Sequence, residues 1–570
     1  MKFRPKLILF IILVLASILR IIALDKVPVS MFGDELDVGY QAYSILKTGK
    51  DYYGNFMPIH FHSLAEWRTP LYLYSAVPTV AIFGLTEYGV RLPAALFGIF
   101  GIWALYLLVK ELFKDEKLAL VAAAVLTFSP WHIQYSRAGF EVTQLLFFLI
   151  LGLYFFFKGL KDGKFLWISA VCFSLTPWVY STAKLFTPLL VLFLLILYRK
   201  ELFKTKLKYI VFTFFAFLIV GGPITYSTFF GGGAQRYGYI SVFSDPTTEP
   251  EVGTARGLDA KARGEVGTGL NPTLLDKAIH NKFTFWGGRV LNNYLQPFSS
   301  EFLFNSGDPN PRHTIHGMGV LYKVEFIALT LGLVLFFARK SIDTKNKLFI
   351  GFWIMASVIP AAITRDGGNH ATRLILLLIP LTILISYGLL EGLNLIKNKK
   401  YKTFALMSYV TVFVVCFFFY QHNYWVHNPT YSERWWHAGY KEAIQSVKQI
   451  DSKYDKVLVS SAGEPPWIFF AAWYQYDHSS WQKNFPIGND IELSGIGKVS
   501  HIDKFYFGFP DGGLYDWGHT LDNKILFLAT AKQVNVNLIM EPERTPEDLK
   551  LLKSIAYPSG EPAFYLFTGK

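Results

Sequence analysis

Long apolar stretches broken by short polar connections fill the first 420 or so residues. Runs at 7–24, 90–112, 118–134, 140–157, 165–180, 185–198, 208–229, 320–338, 347–363, 371–394 and 403–421 are apolar all round, not on one stripe. That pattern predicts helices surrounded by lipid or protein, several of them short against the roughly 20 residues a bilayer asks for. One more piece, 71–84, carries Pro70 and Pro78 and is expected as a re-entrant or interfacial hairpin. Residues 230–319 keep no apolar period, but aromatics such as Phe283, Trp286 and Phe302 predict partial order against the membrane face.

After residue 422 the pattern changes. Trp436 to Ile450 reads as a helix, Lys456 to Ser461 as a buried strand and Pro465 to Tyr474 as a helix. Strands are expected at Lys504 to Gly508, Lys524 to Ala529 and Ala563 to Phe567, with a short helix opened by Pro546. The predicted fold is a polytopic all-α membrane domain of about eleven transmembrane helices over 1–422, including loops 25–89 and 230–319. A soluble, extracytoplasmic α/β domain follows over 423–570.

Composition agrees: 52% hydrophobic, 17% aromatic, only 17% charged, with mean hydropathy +0.30. The net charge of +13 does not indicate a nucleic-acid partner, because the basic residues cluster between apolar runs. Clusters such as Lys110/Lys114/Lys117, Arg199/Lys200/Lys204 and Lys397/Lys399/Lys400 fall at alternate connections, which places them and the N-terminus in the cytoplasm. Asp25-Lys26-Val27-Pro28 follows the first run without a small-residue cleavage site, so that run reads as an uncleaved span. Two cysteines in apolar runs give neither a disulfide framework nor a metal motif. The working surface is then the extracytoplasmic face of the plasma membrane.

The candidate chemistry lies on that face. Asp34 and Glu35 sit side by side after the first span, where a carboxylate pair is costly without a task. Asp34 also suits a helix N-cap, with Glu35 complementing the dipole of an amphipathic interfacial helix running to about Lys47. Glu66 and Arg68 form a close acidic–basic couple in the same loop. The outer cations are sparse: Arg91, Arg137, Lys184, Arg365 and Arg373 at span ends suit a lipid-linked phosphate or interfacial snorkelling. His313 and His316, with Asp308 nearby and His370 on the same side, are candidate ligands for a divalent metal; no other cofactor is expected.

Several motifs together resemble a known family. These are Gly33-Asp34-Glu35, Thr69-Pro70-Leu71-Tyr72, Tyr88-Gly89-Val90-Arg91-Leu92-Pro93, Ser129-Pro130-Trp131-His132 and the His370-to-Pro380 segment. They resemble the dolichyl-phosphate-mannose protein mannosyltransferases and the lipid A aminoarabinose transferases, over about residues 1–420. The resemblance implies a C-type glycosyltransferase that takes a sugar from a polyprenyl phosphate and inverts its anomeric centre. It implies Asp34 as general base and Glu35 as a contact to acceptor or sugar. In the aminoarabinose branch a first-loop Glu helps bind a metal; Glu66 departs from that spacing. The β-trefoil domain of the eukaryotic mannosyltransferases and the Trp-Trp-Asp-Tyr-Gly motif of oligosaccharyltransferases are both absent from the sequence. The expected partners are a polyprenyl-phosphate-linked sugar, membrane lipid, and a protein or glycan acceptor. Two rival readings are a flippase of lipid-linked sugars and a membrane scaffold acting through its α/β tail.

Overall fold

The apolar runs fold as helices whose ends are set by local side chains. Thr86, Asp115, Asp343 and Asn398 each accept backbone N–H bonds at the start of the helix that follows. A side-chain oxygen there satisfies donors that the first turn leaves unpaired. The computed structural model describes residues 4–64, 66–265, 267, 271–485, 488–493 and 497–570.

The membrane part comprises α1 (Pro5–Ile21), α2 (Gly33–Thr48), α3 (Leu71–Phe83), α4 (Glu87–Phe113), α5 (Glu116–Phe128), α6 (Pro130–Ser136), α7 (Val142–Gly159), α8 (Leu166–Val179), α9 (Ala183–Leu197) and α10 (Leu207–Phe230). It continues with α11 (Glu325–Ala338), α12 (Thr344–Ser357), α13 (Leu378–Leu395) and α14 (Lys399–His422). Each predicted span is helical. Among the described residues, five helices are long and apolar enough to cross a bilayer, or six if α5 and α6, bent by 61°, form one broken span. The count of about eleven therefore rests on shorter helices as well. Phe212, Phe215, Ile219, Phe404 and Phe418 on α10 and α14 are exposed. So much exposed apolar surface on two helices belongs in lipid. α4 packs between α7, α5 and α1, and its Gly98 lets Ser136 approach to where a Cβ would stand, 2.4 Å away.

Two expectations give way here. The 71–84 piece is one helix, α3, that keeps Pro78 inside, and not a hairpin. α2 is not an interfacial helix with one wet face, because residues from Glu35 to Ile45 are mostly buried.

The C-terminal part is a seven-stranded mixed sheet in the order β4-β5-β6-β3-β7-β9-β8. Its strands are β3 (Lys456–Val459), β4 (Gly488–Leu493), β5 (Gly497–Ile502), β6 (Phe505–Phe507), β7 (Ile525–Thr530), β8 (Leu549–Ala556) and β9 (Pro562–Gly569). The parallel trio β6-β3-β7 forms the buried centre and antiparallel strands flank it. The helix expected after Pro546 is instead edge strand β8, paired antiparallel with β9. Its segment Leu549-Lys550-Leu551-Leu552-Lys553 fits either period, and pairing with β9 decides.

This domain shares a core with the first outer loop. Leu36, Tyr40, Tyr52 and Val90 lie in one buried cluster with Tyr440, Phe469, Phe470 and Trp481. Gln482 Nε2 donates to Ser44 Oγ, Thr48 Oγ1 and the Asp51 carbonyl, each at 2.9 Å.

Candidate functional site

The first turn of α2 and the hairpin β1 (Phe61–Ser63)–β2 (Glu66–Arg68) build the site together. α2 begins at Gly33, so Asp34 stands in its first turn with its side chain 43% exposed. Arg68, at the end of β2, forms an ion pair with the Asp34 carboxylate. The Arg68 Nη1 also lies 3.9 Å from Asp37. Asp37, one helical turn on, is fully buried and accepts from Tyr52 Oη at 2.7 Å and Ser63 Oγ at 2.6 Å. Burial pushes its carboxyl up to about 6, against the opposing pull of Arg68, Ser63 and Tyr52. The side chain of Glu66 lies outside the described part of the structure.

Glu35 has a different place from the one the resemblance implies. It is fully buried and bound through two bonds to Arg91, Nε to Oε1 and Nη2 to Oε2, both at 2.8 Å. The Gly139 N–H adds a third bond to Oε1 at 2.6 Å. Glu35 therefore points into the protein, with its carboxylate taken up by Arg91 and Gly139. Arg91 donates its remaining N–H groups to the carbonyls of Leu24, Pro28 and Ser30.

The idea of a shared arginine cradle for phosphate fails in the same way. Arg137 is buried and donates to the Tyr424 hydroxyl and to the carbonyls of Leu19, Ile22, Ala23 and Val27. Arg91 and Arg137 thus tie the segment after α1 to the helix bundle and have no donor left for an anion. Arg373 donates to Thr364 and to Asp366 at 2.8 and 2.6 Å. Arg365 lies 3.8 Å from Asp245 and donates to the Ser244 carbonyl. Lys184 Nζ lies 3.0 Å from His60 Nε2 and from the Gly233 carbonyl. Burial and Lys184 push His60 down to about 4, which keeps its imidazole a neutral acceptor. Among the described residues, Arg68 is the cation that pairs with Asp34.

The metal expectation is corrected in its members. Asp308, His313 and His370 bring ligand atoms within 4.8 Å of one another, whereas His316 stacks on Tyr431 instead. His313 Nδ1 contacts the Thr372 hydroxyl at 3.2 Å, which leaves Nε2 for a ligand bond. A carboxylate and two imidazoles are donors that suit a divalent ion. The group is linked to α2 by rings: His313 against Phe140 at 5.3 Å, and Phe140 against Phe32 at 5.5 Å.

Two residues that were not singled out in the sequence complete the site. Glu464 accepts from Gly33 N at 2.7 Å, and Arg312 pairs with Glu464 at 2.6 Å. Neither sits in a motif, and nothing local marks a partner 431 positions away.

The helices and the lipid-facing surface define an integral membrane protein. Comparison shows what part of the chain is similar to. Residues 68–225 match the family model for dolichyl-phosphate-mannose-protein mannosyltransferases. The matched segment takes in Thr69-Pro70-Leu71-Tyr72, Arg91 and Ser129-Pro130-Trp131-His132 and covers less than a third of the chain. Putative mannosyltransferase YkcB of Bacillus subtilis (strain 168) is 34% identical over 92 residues, 16% of this chain and 13% of the relative. Putative mannosyltransferase YycA of the same organism is 30% identical over 157 residues, 27% of this chain and 22% of the relative. The matches thus span less than a quarter of either relative. Among solved structures, ArnT from Cupriavidus metallidurans bound to undecaprenyl phosphate is 10% identical with a TM-score of 0.49, covering 98% of this chain and 97% of that one. The archaeal oligosaccharyltransferase AglB from Archaeoglobus fulgidus is 13% identical with a TM-score of 0.47, covering 83% and 63%.

Proposed function

We propose that the protein is a membrane glycosyltransferase. It moves a mannose-like hexose or a pentose from a polyprenyl-phosphate donor to a hydroxyl of an extracytoplasmic protein, lipid or glycan, with inversion. The observation that carries this reading is Asp34: a part-exposed carboxylate in a first helical turn, with one guanidinium, Arg68, at its side.

The acceptor hydroxyl is a weak nucleophile. Asp34 takes its proton as the new bond to the anomeric carbon forms on one face and the bond to phosphate oxygen breaks on the other. The leaving phosphodiester becomes a monoester and gains negative charge, which Arg68 is placed to meet. In the resting protein Arg68 pairs with Asp34. A donor phosphate competing for that guanidinium would loosen the pair and leave the carboxylate to act as base. Asp308, His313 and His370 would hold a divalent ion, which supplies Lewis-acid stabilisation of phosphate charge.

The experiment is incubation of proteoliposomes with radiolabelled polyprenyl-phosphate mannose or pentose and extracted envelope acceptors. Label transferred to an acceptor, and lost in Asp34→Asn, supports the reading. Label that crosses the bilayer untransferred supports a flippase, and no reaction of either kind supports a scaffold. Metal analysis of the purified protein checks the second site: about one bound divalent ion per chain is expected, and it should be lost in His370→Ala.

A further inference from the structure

The helix that carries Asp34 has no cap of its own. Its N-cap position is Phe32, and no local side chain accepts from its first turn. Free N–H groups and the positive end of the helix dipole call for an acceptor there, best an anionic one. The C-terminal domain supplies it. Glu464 lies between β3 and the short helix Pro466–Phe470, on a turn where Ser461 Oγ donates to the Glu464 carbonyl at 2.8 Å. Its Oε2 accepts from Gly33 N at 2.7 Å. Its Oε1 accepts from Arg312 Nη2 at 2.6 Å and lies 3.4 Å from His437 Nε2.

Arg312 holds the other side. Its Nε donates to the Trp435 carbonyl at 2.7 Å, and its guanidinium lies over the Phe32 ring at 4.4 Å. Phe32 and Gly33, the two residues directly before Asp34, are therefore gripped by groups from the long outer loop and the α/β domain together. Gly33 fits this grip, because a Cβ there would stand 2.3 Å from Glu464 Oε2. Burial would raise the Glu464 carboxyl, but bonds from His437 and the charge of Arg312 outweigh it and hold it at about 2.

We propose that Glu464 is a positioning residue for Asp34: the C-terminal domain caps the catalytic helix and so forms part of the catalytic unit. This rests on the reading of Asp34 as the base. In this role Glu464 acts through Gly33, by fixing where the Asp34 carboxylate stands. A displacement of about 1 Å at such a group can cost on the order of 10²-fold in rate.

The test uses the full-length protein in proteoliposomes with polyprenyl-phosphate mannose as probe, together with hydrogen exchange over the Phe32–Val38 amides. Glu464→Ala should speed exchange at Gly33 and Asp34 and lower kcat about 10²-fold. KM for the donor should stay within about threefold, since a positioning residue acts on Asp34 and not on the donor. Glu464→Gln keeps an oxygen for the Gly33 N–H and should recover most of the rate. Gly33→Ala leaves the α/β domain intact, pushes the carboxylate away and should reproduce the loss, which covers the case of a poorly folding Glu464→Ala. Unchanged exchange and kcat in both Glu464→Ala and Gly33→Ala would overturn the proposal. Asp34→Asn separates the two ideas. If it turns over normally, the base assignment fails, while the exchange data still decide the cap.

Discussion

Asp34 and Glu35 are neighbours in sequence with opposite fates. Successive residues of a helix point about 100° apart, so one reaches the solvent side and the other the interior. Asp34→Asn should retain the fold, since Asp34 lies inside the first turn and not at the N-cap, its side chain is part-exposed and Asn keeps its size. Transfer activity should fall by roughly 10²–10⁴-fold, the usual worth of a general base. Near-normal transfer would dismiss the assignment. Glu35→Ala should instead act on stability, because it leaves the buried Arg91 guanidinium without its partner carboxylate. Breaking a buried pair from one side costs about 3–5 kcal/mol. A sharply lower unfolding temperature in detergent is expected, with Arg91→Ala behaving alike, whereas a Glu35→Ala protein as stable as wild type would refute the buried-clamp role.

At the scale of the element, α2 is held on every side: by α3 and α4, by the β1–β2 hairpin and by the α/β domain. Its face bearing Asp37 and Gln41 looks polar in sequence but is buried. Gln41 meets that burial with bonds to the His62 carbonyl and from Tyr52 N, at 3.0 and 3.2 Å. Asp37 leaves a pH signature. Its carboxyl is raised to about 6 by burial, so the folded protein holds a proton that the unfolded chain has lost above its ordinary value near 3.8. The stability this gives is fully present below that ordinary value and is lost as pH rises through about 6. Thermal unfolding followed from about pH 4 to pH 8 should show wild type losing more stability on that rise than Asp37→Asn. Parallel profiles would show that Asp37 is not raised. α2 could be placed as a helix from its pattern; its burial could not, because it is enclosed only when the hairpin and helices that follow it and a domain hundreds of positions downstream fold over it.

At the scale of the whole molecule, the basic connections and the site lie at opposite ends of the helices. Lys110, Lys161 and Lys345 pair with Glu116, Glu111 and Glu201 at one end, while Asp34, Arg68 and Asp308 gather at the other. The alternation of Lys/Arg clusters predicts a cytoplasmic place for the first set. A cysteine introduced at Lys200 should therefore resist an impermeant thiol reagent added outside intact cells, and one at Glu547 should react. The reverse pattern would invert the topology and place the site inside. The α/β domain also has a structural part in this layout, since its aromatic core continues into the first outer loop.

Period and composition by themselves determined the membrane helices, because lipid forces long apolar runs into helices whatever their neighbours. They also determined the strand–helix character of the tail, and the motifs around Asp34 located the acidic pair. Tertiary structure alone decided what each charged group does. Arg91 and Arg137 read as outer cations awaiting an anion, yet every donor is used on carbonyls, on Glu35 or on the Tyr424 hydroxyl. His370 replaced His316 beside Asp308 and His313, because loop geometry and not spacing brings such donor atoms together. β8 became a strand because β9 offered it an edge. Glu464 reached Gly33 only through the docking of a distant domain. The physical reason is common to all four: helix formation in lipid is a local matter of backbone satisfaction, whereas the role of a charge depends on which partners the fold brings within about 3 Å of it.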